Sequence, residues 1–279
     1  MHGFTVPTRP GSRGGRGCAV RYELLGPLRV VDEYGSSSIS APKVELLLAA
    51  LLIRADQLVP ADHLVRELWD QHPPRRATAG LHVYVSQLRK FLCRPMRPDS
   101  PIVTHPPGYQ LELGPDELDA HTFLGLAKLG RQQHREGHYE AAADHFERAL
   151  ALWRGLVLGD LQGGQLIDGF VTRLNEERLE CVELMLDAYL FLGRHRELTG
   201  QLYALTRDHP LRESFYRQLM VALYRSERQA DALNVYQYAR RTLNRELGLE
   251  PCQSLQELHR AILTGDRNLD LRAWAAVAA

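Results

Sequence analysis

Six cations, Arg75, Arg76, Arg89, Lys90, Arg94 and Arg97, stand in a stretch that holds no acidic residue between Asp70 and Asp99. Such a run matches a polyanion, and phosphate is the obvious candidate. A solvated basic face has the same composition, so the surrounding elements must decide. Leu81, Val85, Leu88 and Leu92 recur at i, i+4, i+7 and i+11, which places four apolar side chains on one stripe of a helix and predicts that the stripe is buried. Around the same wheel Arg76, Ala79, Val83, Ser86, Gln87 and Lys90 fall on the opposite side. That small, polar and basic face is expected to meet something outside the domain.

The elements around this helix read as follows. The chain has 279 residues, 44% hydrophobic and 24% charged, which suits about two globular domains. The net charge is zero but unevenly spread: Met1 to Pro115 carries fourteen Lys or Arg against ten Asp or Glu, net +4, and the remainder twenty against twenty-four, net −4. Residues 1–19 begin rich in Gly, Arg and Pro without apolar period and read as a flexible tail whose arginines could touch phosphate. VRYELL, PLRVVDEYG and SSISA then alternate as three short antiparallel strands. Pro42 opens a helix, KVELLLAALLIRA, with a broad buried face. A second helix, ADHLVRELWD, ends at the Pro73 and Pro74 pair. After the basic third helix, Ile102 to Thr104 and Tyr109 to Leu113 flank the turn His105, Pro106, Pro107, Gly108 and read as a hairpin. Three strands, three helices and a hairpin is the order of a winged helix with an extra leading sheet. Helix three would enter the major groove and the hairpin would lie on the adjacent backbone or minor groove.

The character changes at residues 114–117. Leu118 to Glu136 reads as helix, Gly137 breaks it, and HYEAAADHFERALALW resumes with Ala142, Phe146 and Ala149 on one side, small residues that permit close helix approach. A long helical pattern from Gly169 to Leu192 precedes three further helical segments. Arg194 and Arg228 are 34 residues apart, and at that offset Ala188 meets Ala222, Leu202 meets Tyr236 and Ala204 meets Tyr238, the period of tetratricopeptide repeats. The hairpin around Gly137 is out of phase with the other two. Stacked hairpins of this kind present surfaces for protein segments, so interaction is expected of them.

No enzyme signature is present in the sequence. GxxxxGK[ST], GxGxxG after a strand, HExxH and GxSxG are all missing, and the twelve histidines form no ligand cluster. His134 and His138 have helical ligand spacing, but Gly137 between them ends the helix. The four cysteines make no CxxC pair, no run reaches the roughly 18 apolar residues of a membrane span, and a reducing cytoplasm fits. No cofactor or metal is expected.

ELWDQHPP, LHVYVSQLRKFL and VTHPPGYQLEL resemble the effector domain of OmpR-type regulators, and ALYRSERQADALNVYQYARRTLNRELGLEP resembles the bacterial transcriptional activation domain. Together, over roughly Val20 to Gly265, the chain resembles the Streptomyces antibiotic regulatory protein family. The fold this implies is mainly α with small β: a winged helix-turn-helix DNA-binding domain over residues 20–114, then an all-α tetratricopeptide-like domain over 117–265, with a tail at 266–279. In OmpR-type proteins the DNA contacts lie on the outward face of the third helix and in the wing. The matching positions are Thr78, Ala79, His82, Val83, Tyr84, Gln87 and Lys90, with Thr104 and His105 in the wing; Arg75 and Arg76, from the basic run ahead of the helix, are expected to contact DNA as well. Gln87 and His105 stand where arginines are common in the family. Gln87 could pair bidentately with adenine, and Thr78 or Val83 could pack on a thymine methyl group. Lys90, Arg89 and Arg94 are cast as phosphate contacts that set register. The Tyr84 ring either packs on the shoulder of helix three or hydrogen-bonds a phosphate.

The resemblance further implies an activator whose two copies bind tandem direct repeats of promoter DNA near the −35 element, as a homodimer on DNA. It would recruit RNA polymerase holoenzyme through the sigma factor and neighbouring subunits. With no phosphate loop, the chain is expected to lack the ATPase module of larger members. With no receiver domain before the winged helix, two-component phosphorylation is not the expected switch. A protein-interaction scaffold built on the repeats, or a repressor using the same DNA-binding residues, are the alternative readings.

Overall fold

The computed structural model describes residues 19–93 and 99–265. The N-terminal tail up to Cys18, Arg94 and Arg97 of the basic run, and the tail from Asp266 lie outside these. The fold is mainly helical with two small sheets, and the described residues form two compact units. The first takes in residues up to His121 together with Arg154–Arg173; the second comprises Thr122–Trp153 and Leu174 onward.

The first unit opens with β1 (Arg21–Glu23), β2 (Arg29–Asp32) and β3 (Gly35–Ser37), the three antiparallel strands expected. A fourth strand, β7 (Glu117–Leu118), lies parallel to β1 with Tyr22 opposite Leu118, giving the order β3-β2-β1-β7. Residues bracketing β7 hold it there. The Asp116 carboxylate accepts the Val20 amide at 3.0 Å, and the Asp119 carboxylate accepts the amides of Leu24 at 2.8 and 2.9 Å and of Leu25 at 3.0 Å. Burial pushes the Asp119 carboxyl above its ordinary pKa, and these amides oppose the shift. The segment 154–173 continues the same job: the Arg154 amide donates to Leu25 O at 2.7 Å, the Leu158 amide to Leu24 O at 2.9 Å, and the Arg154 guanidinium lies 3.2 Å from Glu23.

The first helix, α1 (Pro42–Ile53), is covered more completely than the broad buried face expected. Every side chain from Leu46 to Leu52 is buried, because α2 (Ala61–Trp69), α3 (Ala77–Leu92) and the wing strand β6 (Gly108–Leu111) all pack on it. A helix apolar on all sides has to be covered on all sides. The hairpin of β5 (Ile102–His105) and β6 pairs Ile102 with Leu111 and Thr104 with Tyr109, and the Pro106–Pro107 peptide in its turn is cis. A two-residue strand not foreseen in the sequence, β4 (Val59–Pro60), pairs with β6 and completes the order β4-β6-β5. Gly108 makes that pairing possible, since a Cβ there would stand 2.0 Å from the Val59 carbonyl oxygen. Asp56 fixes the base of the wing: its amide donates to Leu111 O at 2.8 Å and its carboxylate accepts the Leu113 amide at 2.9 Å.

The second unit holds most of α4 (Asp119–Arg135), α5 (Tyr139–Leu150), the latter part of α6 (Gln165–Phe191), α7 (His195–Asp208), α8 (Glu213–Arg225), α9 (Gln229–Leu247) and α10 (Gln253–Thr264). Three helical hairpins turn alike. Gly137, Gly193 and Glu227 have φ of 79°, 77° and 62°, and each lies two residues before the next helix. The following amides, of His138, Arg194 and Arg228, donate to Gln133 O, Tyr189 O and Leu223 O at 2.9, 3.0 and 2.9 Å, the bond that closes a left-handed helix terminus. Gly193 and Glu227 are the 34-residue equivalents, so the period read in the sequence is the period of a turn. Ala142, Phe146 and Ala149 are buried as their spacing predicts, and Gly130 of α4 meets the Phe146 ring, where a Cβ would come within 2.7 Å.

Candidate nucleic-acid interface

Helix α3 is positioned from beneath by Leu81, Val85, Leu88 and Leu92, which are 0 to 4% exposed. Its outer side carries Thr78, Ala79, His82, Val83, Ser86, Gln87 and Lys90, all exposed, with Arg75 and Arg76 exposed in the turn ahead of it. Val83 is 54% exposed, an apolar side chain left at the surface of that face. Among the described residues Arg75, Arg76 and Lys90 make no ion pair, so their charge is free for an outside anion. With sixteen residues α3 is long enough to lie along a groove about 12 Å wide, which admits a single helix.

Two side chains on the list serve the fold as well as the surface. Tyr84 is half-buried and stacks on Trp69 of α2, ring centroids 5.9 Å apart, and the same indole lies 3.4 Å from where a Cβ of Gly80 would stand. Packing on the shoulder of α3 is therefore what its ring does. Arg89 is also half-buried. Its Nε donates to Ile102 O at 3.1 Å and its Nη2 to Thr104 Oγ1 at 2.7 Å, so the guanidinium ties α3 to the first strand of the wing. Thr104 and His105 are exposed at the end of that strand, His105 entering the turn. His82 makes an edge contact with the Tyr109 ring at 6.5 Å, a second link between helix and wing. Arg94 lies outside the described residues.

Three residues matter here that the sequence did not single out. Trp69 supports α3 through Tyr84 and Gly80. Glu67, 8% exposed, accepts the amides of Leu166 at 3.1 Å and Ile167 at 3.0 Å, so a carboxylate of α2 caps the first turn of α6 within the first unit. Arg154 binds Glu23 as described. Only Trp69 left a trace in the sequence, as a large aromatic closing an amphipathic helix. His134 packs against the rings of Tyr139 and Phe191, while His138 lies exposed beyond the Gly137 turn with Nδ1 3.1 Å from Gln133 Oε1. Among the described residues no group of three metal-ligating side chains occurs, and no helix is long and apolar enough to cross a membrane.

Comparison with known proteins matches both regions. Residues 118–263 match the family described as bacterial transcriptional activator domain, and residues 39–111 the family described as transcriptional regulatory protein, C terminal. The regulatory protein DnrI of Streptomyces peucetius is 36% identical over 90% of this chain and 94% of its own length. The regulatory protein AfsR of Streptomyces coelicolor is 39% identical over 89% of this chain but 24% of its own. The transcriptional regulatory protein EmbR of Mycobacterium tuberculosis is 35% identical over 87% of this chain, which spans 63% of EmbR's length. A solved structure of Mycobacterium tuberculosis EmbR in complex with a low affinity phosphopeptide superposes with a TM-score of 0.86 at 33% identity, covering 94% of this chain and 69% of that one.

Proposed function

The chain belongs to the Streptomyces antibiotic regulatory protein family of transcriptional regulators, and on that footing we propose that it activates a secondary-metabolite gene cluster by binding promoter DNA and recruiting RNA polymerase. Residues 20–114 read the DNA; residues 117–265 carry the contacts between subunits and with the holoenzyme. The observation that carries the reading is the exposed basic surface of α3 and of the turn ahead of it: among the described residues Arg75, Arg76 and Lys90 make no ion pair, and Arg89 ties the hairpin to the last turn of the helix.

On this reading Gln87, Thr78 and Val83 face base edges, and Arg75, Arg76 and Lys90 meet phosphates. Two copies occupy tandem direct repeats near the −35 element. A spacing of about 10 to 10.5 base pairs sets both on one side of the duplex. Fluorescence anisotropy on the upstream region of the chain's neighbouring genes tests this at two salt concentrations, with and without RNA polymerase holoenzyme. Specific binding that polymerase strengthens supports recruitment. Specific binding that excludes polymerase makes the protein a repressor, and loss of sequence preference at both salts refutes DNA reading altogether.

A further inference from the structure

The second unit contains a cavity of about 360 Å³ that none of the DNA-facing residues borders. It opens between α7 and α9, the second helices of two successive hairpins, with Tyr216 and Leu219 of α8 as its floor. Its rims carry Tyr203 and Arg207 from α7 and Asn234 and Tyr238 from α9. Tyr203 and Tyr238 are 38% and 51% exposed, large rings left at the surface on either side of an apolar floor. A concave site of this size with an apolar base and a few converging polar groups is the form that binding sites take.

Charge identifies what fits. Asp231 also borders the space, with its carboxylate paired to Arg228 at 2.7 Å. Arg207 has no carboxylate or carbonyl partner among the described residues, so the cavity presents one unbalanced guanidinium. An occupant that satisfies it brings a carboxylate. Between the two tyrosines the same occupant must place an apolar or aromatic side chain, since ring faces gain most from another ring or an aliphatic group. Length adds a third condition. On α9 the lining runs from Asp231 to Tyr238, seven steps along the helix and about 10 Å at the helical rise, the span of about three residues of extended chain. The Asn234 side-chain amide, which both donates and accepts, sits within that span and can pair with one peptide unit.

We propose that this groove binds an extended acidic peptide segment of a partner protein, an aromatic side chain lodged between Tyr203 and Tyr238 and a neighbouring carboxylate on Arg207. The site is formed by α7, α8 and α9 alone, so it stands or falls apart from DNA reading.

Anisotropy of a labelled synthetic peptide, one tryptophan flanked by aspartates, titrated with the full chain in the absence of DNA, tests the assignment. Saturable binding is expected, weakening with salt, with a loss of about tenfold or more in R207E and a comparable loss in Y238A, the order expected for one charge-assisted bond or one buried ring. A peptide with lysines in place of the aspartates should not bind, and R241A, outside the groove, should bind as the parent does. Circular dichroism melts confirm that each variant is folded. No saturable binding of the acidic peptide, or equal affinity in the parent and a folded R207E, overturns the proposal. Indole-3-acetate binding as tightly as the peptide also overturns it, by making the occupant a small aromatic acid.

Discussion

Arg89 offers the sharpest test of how the interface works, because its two roles predict opposite salt behaviour. As a phosphate contact it would release counterions, and its removal would lower the slope of log K against log salt by about 0.9. As the tie between α3 and the wing it makes two hydrogen bonds within the protein, at 3.1 Å to Ile102 O and 2.7 Å to Thr104 Oγ1. A charged donor contributes about 1.5 to 3 kcal/mol per bond in buried settings. The Thr104 bond is exposed, which reduces its share, and about 1 to 3 kcal/mol for the pair is reasonable. If the hairpin must be held for the wing to engage DNA, R89A weakens binding by up to that amount, about 5- to 150-fold, with the salt slope unchanged. Lysine keeps the charge but not the planar fork, so R89K should resemble R89A. T104A combined with R89A should cost less than the sum of the two. The assay is anisotropy on a footprinted duplex across a salt series, with K90A as the reference that does flatten the slope. A slope in R89A reduced as in K90A, or full affinity in R89K, would falsify the positioning role.

Three further outcomes follow from single residues. Glu227 occupies a left-handed position that costs a side chain about 1 to 2 kcal/mol, whereas its 34-residue equivalent is Gly193; after glycine's own entropy cost, E227G should stabilise by about 0.5 to 1 kcal/mol and raise the melting temperature by a few degrees, and a lower one would count against the turn equivalence. Asp187, buried and in contact with Gln218, has its carboxyl pushed up by burial to about 7 from 3.8, with Arg217 and Gln218 opposing the shift. A raised acid favours the folded state below the unfolded pKa, and that advantage declines between about pH 4 and 7. Between pH 5 and 8 the parent should therefore lose about 2 to 3 kcal/mol relative to D187N in urea unfolding, and a constant gap between the two would refute the assignment. In G108A the new methyl would collide with the Val59 carbonyl, which is backbone and cannot swing aside; a loss of about 3 kcal/mol or more, with weakened DNA binding, is expected from denaturant melts and anisotropy, and near-parent stability would show that β4 can separate from the wing.

The third helix and the hairpin were legible because their patterns are local. Leu81, Val85, Leu88 and Leu92 state a buried stripe within twelve residues, and the Pro106, Pro107, Gly108 turn states the hairpin. What stayed hidden is held by partners distant in sequence. β4 and β7 have two residues each, too few to show alternation, and exist because Gly108 and Val20 lie opposite them. Nothing in Arg154 or Leu158 announces that their amides complete the end of β1 more than a hundred residues earlier. The Arg89 fork was half visible: a helical wheel sets it on the flank of the buried stripe, not on the outer face, but only the structure brings Ile102 and Thr104 to it. Among the DNA-facing candidates, the structure adds that Tyr84 stacks on Trp69.

The return of residues 154–173 to the first unit has a consequence for synthesis. The sheet that leads the winged helix needs the amides of Arg154 and Leu158, and the Glu67 carboxylate needs those of Leu166 and Ile167. Translation at about 5 to 20 residues per second delivers Arg173 roughly 3 to 12 seconds after Leu113. Until residues 154–167 follow, the nascent chain has its third helix and wing, yet Glu67 and the end of β1 lack their partners. Residues 122–153 of the helical unit have already been made by then. Vectorial synthesis therefore cannot complete this regulator one unit at a time: its N-terminal half is finished only after part of its C-terminal half has been made.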